Sequence, residues 1–529
     1  MSDSVREEQL DPLGPFGNPD GSRAEIQEIL RDFVDFEHNP EFGALATRAS
    51  DATVRVIAGR LGAGKTVYIR RLRSYQEQSE SVYVGQLQQS HPSTELVVKA
   101  CQWFKMRDLT EKWMQMWNRA ILRSLATTLV ARETLRPYVS HGQAEMIKRD
   151  YGRLLEDFQR PRSIYSELRA IIYGRSTAHQ LTTYLEDPAW DDLEDVLSEI
   201  LRTCPPIFFY IDAVDEDFSR APMYWLRCQE GLFYQVMRLL RDARLGGRLH
   251  VVICVRDVAL SSIYRSEHAP RYHNEPHIRV LNWTRESIEY LLLDKLKKLD
   301  RSFFMDGEGY APTVGSWLGT SFIYNEKRGI DEEILDYLLR HTRLIPRDIV
   351  SLGNALCQEI LRQKAAGRSE FPPSVLRQVV SRSAKRFGDS QLAQSGNQVA
   401  ADMMPAHAAL RHFSEYYTAT MEYVGGVDRQ IRDIIREVGG DRFSRQQLES
   451  MKRRGEEEFE GSTNLLAVLW QNGLLGYEDT DGQAQFYSLA DMDEFDMPTD
   501  AGSYVFHPCV LDSARIHGVG PPVYPFRRD

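Results

Sequence analysis

Gly59-Arg60-Leu61-Gly62-Ala63-Gly64-Lys65-Thr66 is the stretch that decides how this chain is read. It matches G-x-x-x-x-G-K-[ST] at every fixed position, and its flanks carry the context the pattern needs. Val54-Arg55-Val56-Ile57-Ala58 before it reads as a short buried strand, and Val67-Tyr68-Ile69-Arg70-Arg71-Leu72 after it as the opening of a helix. A glycine loop between strand and helix turns free backbone N–H groups and the positive helix end toward a phosphate chain. Glycines let the backbone come close because no Cβ intervenes. The expected nucleotide cradle is Gly59, Gly62, Ala63, Gly64, Lys65, Thr66 and Val67. Lys65 reaches for the β- and γ-phosphates, and the Thr66 hydroxyl is placed to hold Mg2+.

The partner of that loop lies well downstream. Pro205-Pro206 introduces Ile207-Phe208-Phe209-Tyr210-Ile211, an apolar run that ends in Asp212-Ala213-Val214-Asp215-Glu216. Such a run reads as a central parallel strand covered on both faces. The carboxylate after it emerges at the carboxyl edge of the sheet, where ligands bind in doubly wound folds. Asp212 is therefore expected to share Mg2+ with Thr66, and Glu216 or Asp215 to orient and deprotonate an attacking water. Leu249 to Val255 reads as a neighbouring buried strand ending in Arg256-Asp257. Arg256 can stabilise charge at the γ-phosphate, or it can pair with Asp257. No base-reading N-K-x-D signal is present, so ATP is expected rather than GTP.

Around these motifs the chain divides. Its 529 residues suggest two or three domains, and 42% hydrophobic with 27% charged residues is ordinary for a chain that buries a core. A net charge of -11 excludes a bulk positive field for nucleic acid, although a local basic face remains open. The N-terminal residues show no secretory pattern, and no apolar run is long enough to span a bilayer. Six scattered cysteines without a C-x-x-C pair argue against a disulfide framework or zinc site. A cytoplasmic setting without membrane contact is expected.

The expected class is α/β, a parallel sheet of the P-loop NTPase type with an extra central strand. Residues 1–21 read as an extended arm and 22–300 as the ATPase core, with a helical insertion at about 95–204. Residues 301–390 read as a helical lid, 391–404 as a linker, 405–517 as a winged-helix-like region and 518–529 as a tail. Ser22 to Glu25 has the pattern of a capping box, and Phe36 to Leu45 either covers an adenine ring or packs on the sheet edge. Trp113, Met116, Trp117, Ile121, Leu122 and Leu125 recur at helical spacing and read as core. His268, His273 and His277 lack metal-like pairing. In the last third, helices are expected at 406–424 and 429–438, and wing strands at 485–488 and 504–507. Lys452-Arg453-Arg454, a local basic cluster, is followed at once by Glu456-Glu457-Glu458.

GRLGAGKT, IFFYIDAVDE, HVVICVRD and IRVLNW together resemble the signal-transduction ATPases with numerous domains and their bacterial KAP- and ORC-like relatives. The spacing from Asp212 to Glu216 and the arginine after the fourth strand carry the likeness. His341 to Ile349 resembles the G-x-P-type segment of that family's lid, with Leu344 where the family has glycine. The resemblance implies that Pro346 packs on adenine and that Arg347 takes a sensor-like position near the phosphates. It further implies homo-oligomers or a separate effector partner, and roles in bacterial stress or phage-defence signalling. The C-terminal winged helix would hold the ATPase closed, or, as in the ORC-like branch, bind DNA as part of a motor or loader. A nucleotide-bound scaffold with little hydrolysis is a third reading.

Overall fold

A computed structural model describes residues 14–21, 23–24, 26–27, 29, 54–79, 82–88, 93–156, 160–212, 218–245, 247–305, 312–325, 330–403, 413–459, 464–480, 482, 484–486, 497–498 and 500–514. A five-stranded, all-parallel sheet organises the first half. β1 (Val56–Gly59) leads through the glycine loop into α1 (Lys65–Glu77) and then β2 (Tyr83–Gln88). Among the described residues six α-helices follow before the next strand: α2 (Thr94–Gln102), α3 (Leu109–Ala131), α4 (His141–Leu155), α5 (Ile164–Tyr173), α6 (Ala178–Leu185) and α7 (Ala189–Thr203). β3 (Ile207–Ile211), α8 (Pro222–Arg241), β4 (Leu249–Arg256), α9 (Asp257–Tyr264) and β5 (Ile278–Val280) complete the sheet in the order β2-β3-β4-β1-β5. β4 thus lies between the glycine-loop strand and the strand that ends at Asp212.

The strands lack apolar–polar alternation because both sheet faces are covered. Phe208 and Tyr210 of β3 enter one core, while Ile207, Phe209 and Ile211 enter the other. The second core holds the insertion, whose expected stripe is fully inside: Trp113, Trp117, Ile121, Leu122 and Leu125 are all 0% exposed.

The first core joins the sheet to everything after β5. There, α10 (Arg285–Lys298) and α11 (Val314–Leu318) precede a hairpin, β6 (Phe322–Asn325) and β7 (Ile330–Glu333). α12 (Ile334–Arg340), α13 (Pro346–Ala365), α14 (Pro373–Met403) and α15 (Phe413–Val438) follow. A small module of β8 (Arg442–Phe443), α16 (Arg445–Glu458), α17 (Leu465–Gln471), β9 (Leu475–Glu478), β10 (Ala484–Phe486), β11 (Tyr504–Phe506) and α18 (Pro508–Ala514) comes after them. Its sheet is antiparallel, in the order β10-β9-β11-β8.

Two expectations fail here. Residues 391–403 are not a linker but the second half of α14. Its buried surface is largely polar, with Gln391, Ser395 and Gln398 at helical spacing and at most 6% exposed beside Leu392 and Val399, so apolar periodicity is weak. Nor do two helices flank Gly425-Gly426. α15 runs straight through them, because Val424, Val427, Ile431, Ile434 and Ile435 keep one buried face across the pair. The Ser22–Glu25 cap, the segment 36–45 and the tail 518–529 lie outside the described residues.

Candidate functional site

The glycine loop sits at the carboxyl edge of β1. Gly62 and Gly64 have φ of +91° and +95°, a region an L side chain enters only with strain. Gly64 is the N-cap of α1, so the helix starts at Lys65 with no side-chain cap on its first N–H groups. The Lys65 ammonium folds into the loop and donates to the carbonyls of Gly59 (2.8 Å) and Arg60 (3.2 Å). Ala63 is buried, and its carbonyl accepts from Trp283 Nε1 at 2.8 Å, which ties the loop to the residues after β5. Thr66 and Val67 are half-buried on the first turn of α1.

Neighbouring strand ends bring the other candidates to the same edge. Arg256, the last residue of β4, is the register partner of Gly59, the last residue of β1. It is 8% exposed and its guanidinium carbon stands 5.1 Å from the Phe218 ring centre. Asp212 follows β3 directly, is 4% exposed, and its carbonyl accepts from the Tyr165 hydroxyl of the insertion at 2.7 Å. Burial lowers the Arg70 pKa, and the charge of Asp212 opposes that shift, which sets this carboxylate beside α1. Asp215 and Glu216 lie outside the described residues.

The segment before α13 closes over the loop. Arg343 forks Asp348 through Nε (2.9 Å) and Nη2 (2.6 Å), with Asp348 fully buried. Leu344 has φ +53°: the left-handed turn for which glycine is suited is made here by a leucine. Ile345 caps α13 and Pro346 occupies its first turn. The Arg347 amide reaches the Gly62 carbonyl at 3.3 Å, and a Cβ on Gly62 would stand 2.9 Å from Arg347 Cβ. Arg347 Nε also donates to the Pro19 carbonyl at 3.2 Å. Arg347 therefore meets the glycine loop, and Pro346 stands next to it in the first turn of α13. The arm does more than extend: Phe16 is buried against Trp317, and a Cβ on Gly21 would stand 2.7 Å from Val67 Cγ2.

A polar chain that sequence reasoning missed joins this edge to the C-terminal module. Arg343 Nη1 donates to Gln391 (2.7 Å), Gln391 to Asn472 (2.8 Å), Asn472 to Gln398 (2.8 Å) and Gln398 to the Gln471 side chain (3.1 Å). The Gln471 carbonyl accepts from Arg60 of the glycine loop at 3.3 Å. His507 is buried beside it; burial first, then the Arg343 and Arg60 cations, push its pKa down to about 3. The i, i+4, i+7 recurrence of Gln391, Ser395 and Gln398 is the signal that could have found this face.

Among the described residues no group of histidine, cysteine or acidic side chains forms a metal cluster, and none of the described helices is long and apolar enough to cross a membrane. His277 instead contacts Glu275 at 2.7 Å, while His268 and His273 stack edge-on against Tyr234 and Tyr264. The chain matches no protein-family model and no curated protein.

Proposed function

We propose that this chain binds and hydrolyses ATP and uses the nucleotide to switch the docking of its C-terminal module. The observation that carries the reading is the juxtaposition at one sheet edge. There the positive-φ glycines, the buried Lys65, Arg256 opposite Gly59, and Asp212 one strand further come together under the start of α13. The strand order, with β4 between the loop strand and the Asp212 strand, supports a P-loop ATPase core with an extra central strand.

The residues fit a nucleoside triphosphate with Mg2+. The loop glycines leave a cradle without Cβ atoms, and a positive helix end faces it. Thr66 and Asp212 would hold Mg2+, which supplies charge neutralisation at the phosphates when bound. The amides from Gly62 to Val67 bind and orient the phosphates, and Lys65 exchanges its loop carbonyls for phosphate oxygens. Glu216, with Asp215 beside it, holds the attacking water and takes its proton. Arg256 stabilises charge developing in the transition state, and Arg347 adds a cation from the lid side.

The α17–β9–β10–β11 arrangement is compatible with a winged-helix-like module, packed here on the core through Arg60. Its basic cluster is partly neutralised, since Arg454 pairs with Glu458 at 2.8 Å and lies near Glu457 and Glu437. That favours packing over DNA binding. A Lys65→Ala variant tests the central reading by titration with ATP and Mg2+. Loss of a charged donor to phosphate weakens binding by about 1.5–3 kcal/mol, ten- to a hundred-fold. Unchanged affinity sinks the phosphate-cradle assignment. A Glu216→Gln variant should bind ATP normally and turn it over far more slowly.

A further inference from the structure

The β6–β7 hairpin carries an exposed surface that the nucleotide site does not use. Phe322 is 59% exposed, Tyr324 53% and Ile330 44%, three of the large exposed hydrophobics of the described residues within one short ribbon. The others, Tyr138, Tyr173, Tyr290 and Met421, lie apart from it in sequence. Scattered apolar side chains are ordinary; a clustered set marks a contact surface.

Register shows what the cluster recognises. Phe322 stands opposite Glu333, and Tyr324 opposite Asp331, on one face of the ribbon. Cross-strand partners bring their Cβ atoms within about 5 Å, and same-face rungs repeat about every 6.8 Å along a strand. Each rung thus offers an aromatic ring beside an exposed carboxylate, and neither Asp331 nor Glu333 has an ion pair among the described residues. The opposite face is fixed. Ile323 is 3% exposed, and Glu332 across from it is 1% exposed and forked by Arg340 at 2.6 and 3.1 Å. The Tyr324 carbonyl accepts from Arg377 and the Phe322 carbonyl from Thr320 Oγ1, each at 2.7 Å. These bonds engage the outer edge of β6, so a partner meets the face of the ribbon rather than adding a strand.

A planar guanidinium stacks on an aromatic ring and pairs with a carboxylate at once, which an ammonium does less well. Nucleic-acid bases also stack on such rings, but a carboxylate opposite each ring repels phosphate. We infer that the outer face of the hairpin docks a partner protein through a segment presenting arginines at alternate positions; Ile330, opposite Asn325, lies on the other face and takes no part. This surface is independent of the nucleotide reading.

The test uses the full chain and a short fluorescein-labelled peptide alternating arginine and valine, followed by anisotropy. The wild type should bind it, and a lysine–valine peptide several-fold more weakly. Phe322→Ala with Tyr324→Ala, and separately Asp331→Asn with Glu333→Gln, should each weaken binding about tenfold. Tyr173→Ala should leave it unchanged, and circular dichroism and ATP turnover should match the wild type in every variant. The inference is overturned if the peptide does not bind or if either double variant binds within about twofold of the wild type. It is equally overturned if the rings instead support binding of oligo-dT or self-association of the chain in sedimentation.

Discussion

Asn472→Ala is the most informative change to the chain of side chains that links the C-terminal module to the glycine loop. Asn472 is 3% exposed and makes three bonds of 2.8 Å. It accepts from Gln391 Nε2 and donates to Gln398 Oε1 and the Val468 carbonyl. Truncation leaves the Gln391 donor and the Gln398 acceptor buried with a partner lost, at about 1–2 kcal/mol each, so a loss of about 2–4 kcal/mol is expected for the docked module. Hydrogen exchange read on α17 and β9 should accelerate by roughly 30- to 1000-fold if these amides exchange by local opening. Gln391→Ala removes the same bond from its other end. The double variant should therefore show a coupling of about 1–2 kcal/mol rather than additive losses. Exchange within about threefold of the wild type, or strict additivity, refutes the network. On the proposed ATPase reading, turnover should also rise in this variant, because a loosened module holds the Gln471 main-chain carbonyl less firmly against Arg60; unchanged turnover with accelerated exchange would refute the coupling while leaving the network intact.

Other outcomes follow from single contacts. Trp283→Phe keeps an aromatic ring but loses the bond to the Ala63 carbonyl. ATP affinity should fall about fivefold, roughly 1 kcal/mol, in calorimetric titration. At Leu344, φ +53° predicts that Val costs about 1–2 kcal/mol more than Gly, read as the urea midpoint of the two variants. His507 is held neutral, with a folded pKa of about 3 against the ordinary 6.5. The unfolded chain then binds more protons between those values, so stability is full above about pH 6.5 and falls as pH drops toward 3. At pH 5 this amounts to about 2 kcal/mol. His507→Gln should lose that much less than the wild type between pH 7.5 and 5 in urea titrations.

Local sequence determined the elements whose signal is short-range. The strand–glycine loop–helix unit at Val56 to Glu77 is legible because Gly62 and Gly64 must take positive φ, and because β1 and α1 have distinct periodicities. The apolar run before Asp212 and the run ending in Arg256 announce central strands for the same reason: both faces are covered, so no polar residue interrupts them. Spacing also gave the tryptophan stripe of α3 its place in the core.

Tertiary structure alone decided which strand ends are neighbours, and so set Arg256 beside Gly59 with Asp212 one strand away. It likewise turned 391–403 from an apparent linker into a helix. Gln391 and Gln398 are favourable inside only because Asn472, Gln471 and Arg343 arrive from distant parts of the chain to bond them. Hydrophobic burial is written into each residue's own chemistry and recurs at a helical or strand period. A buried hydrogen bond depends on a second residue, and the chain gives no local sign of where that partner will be.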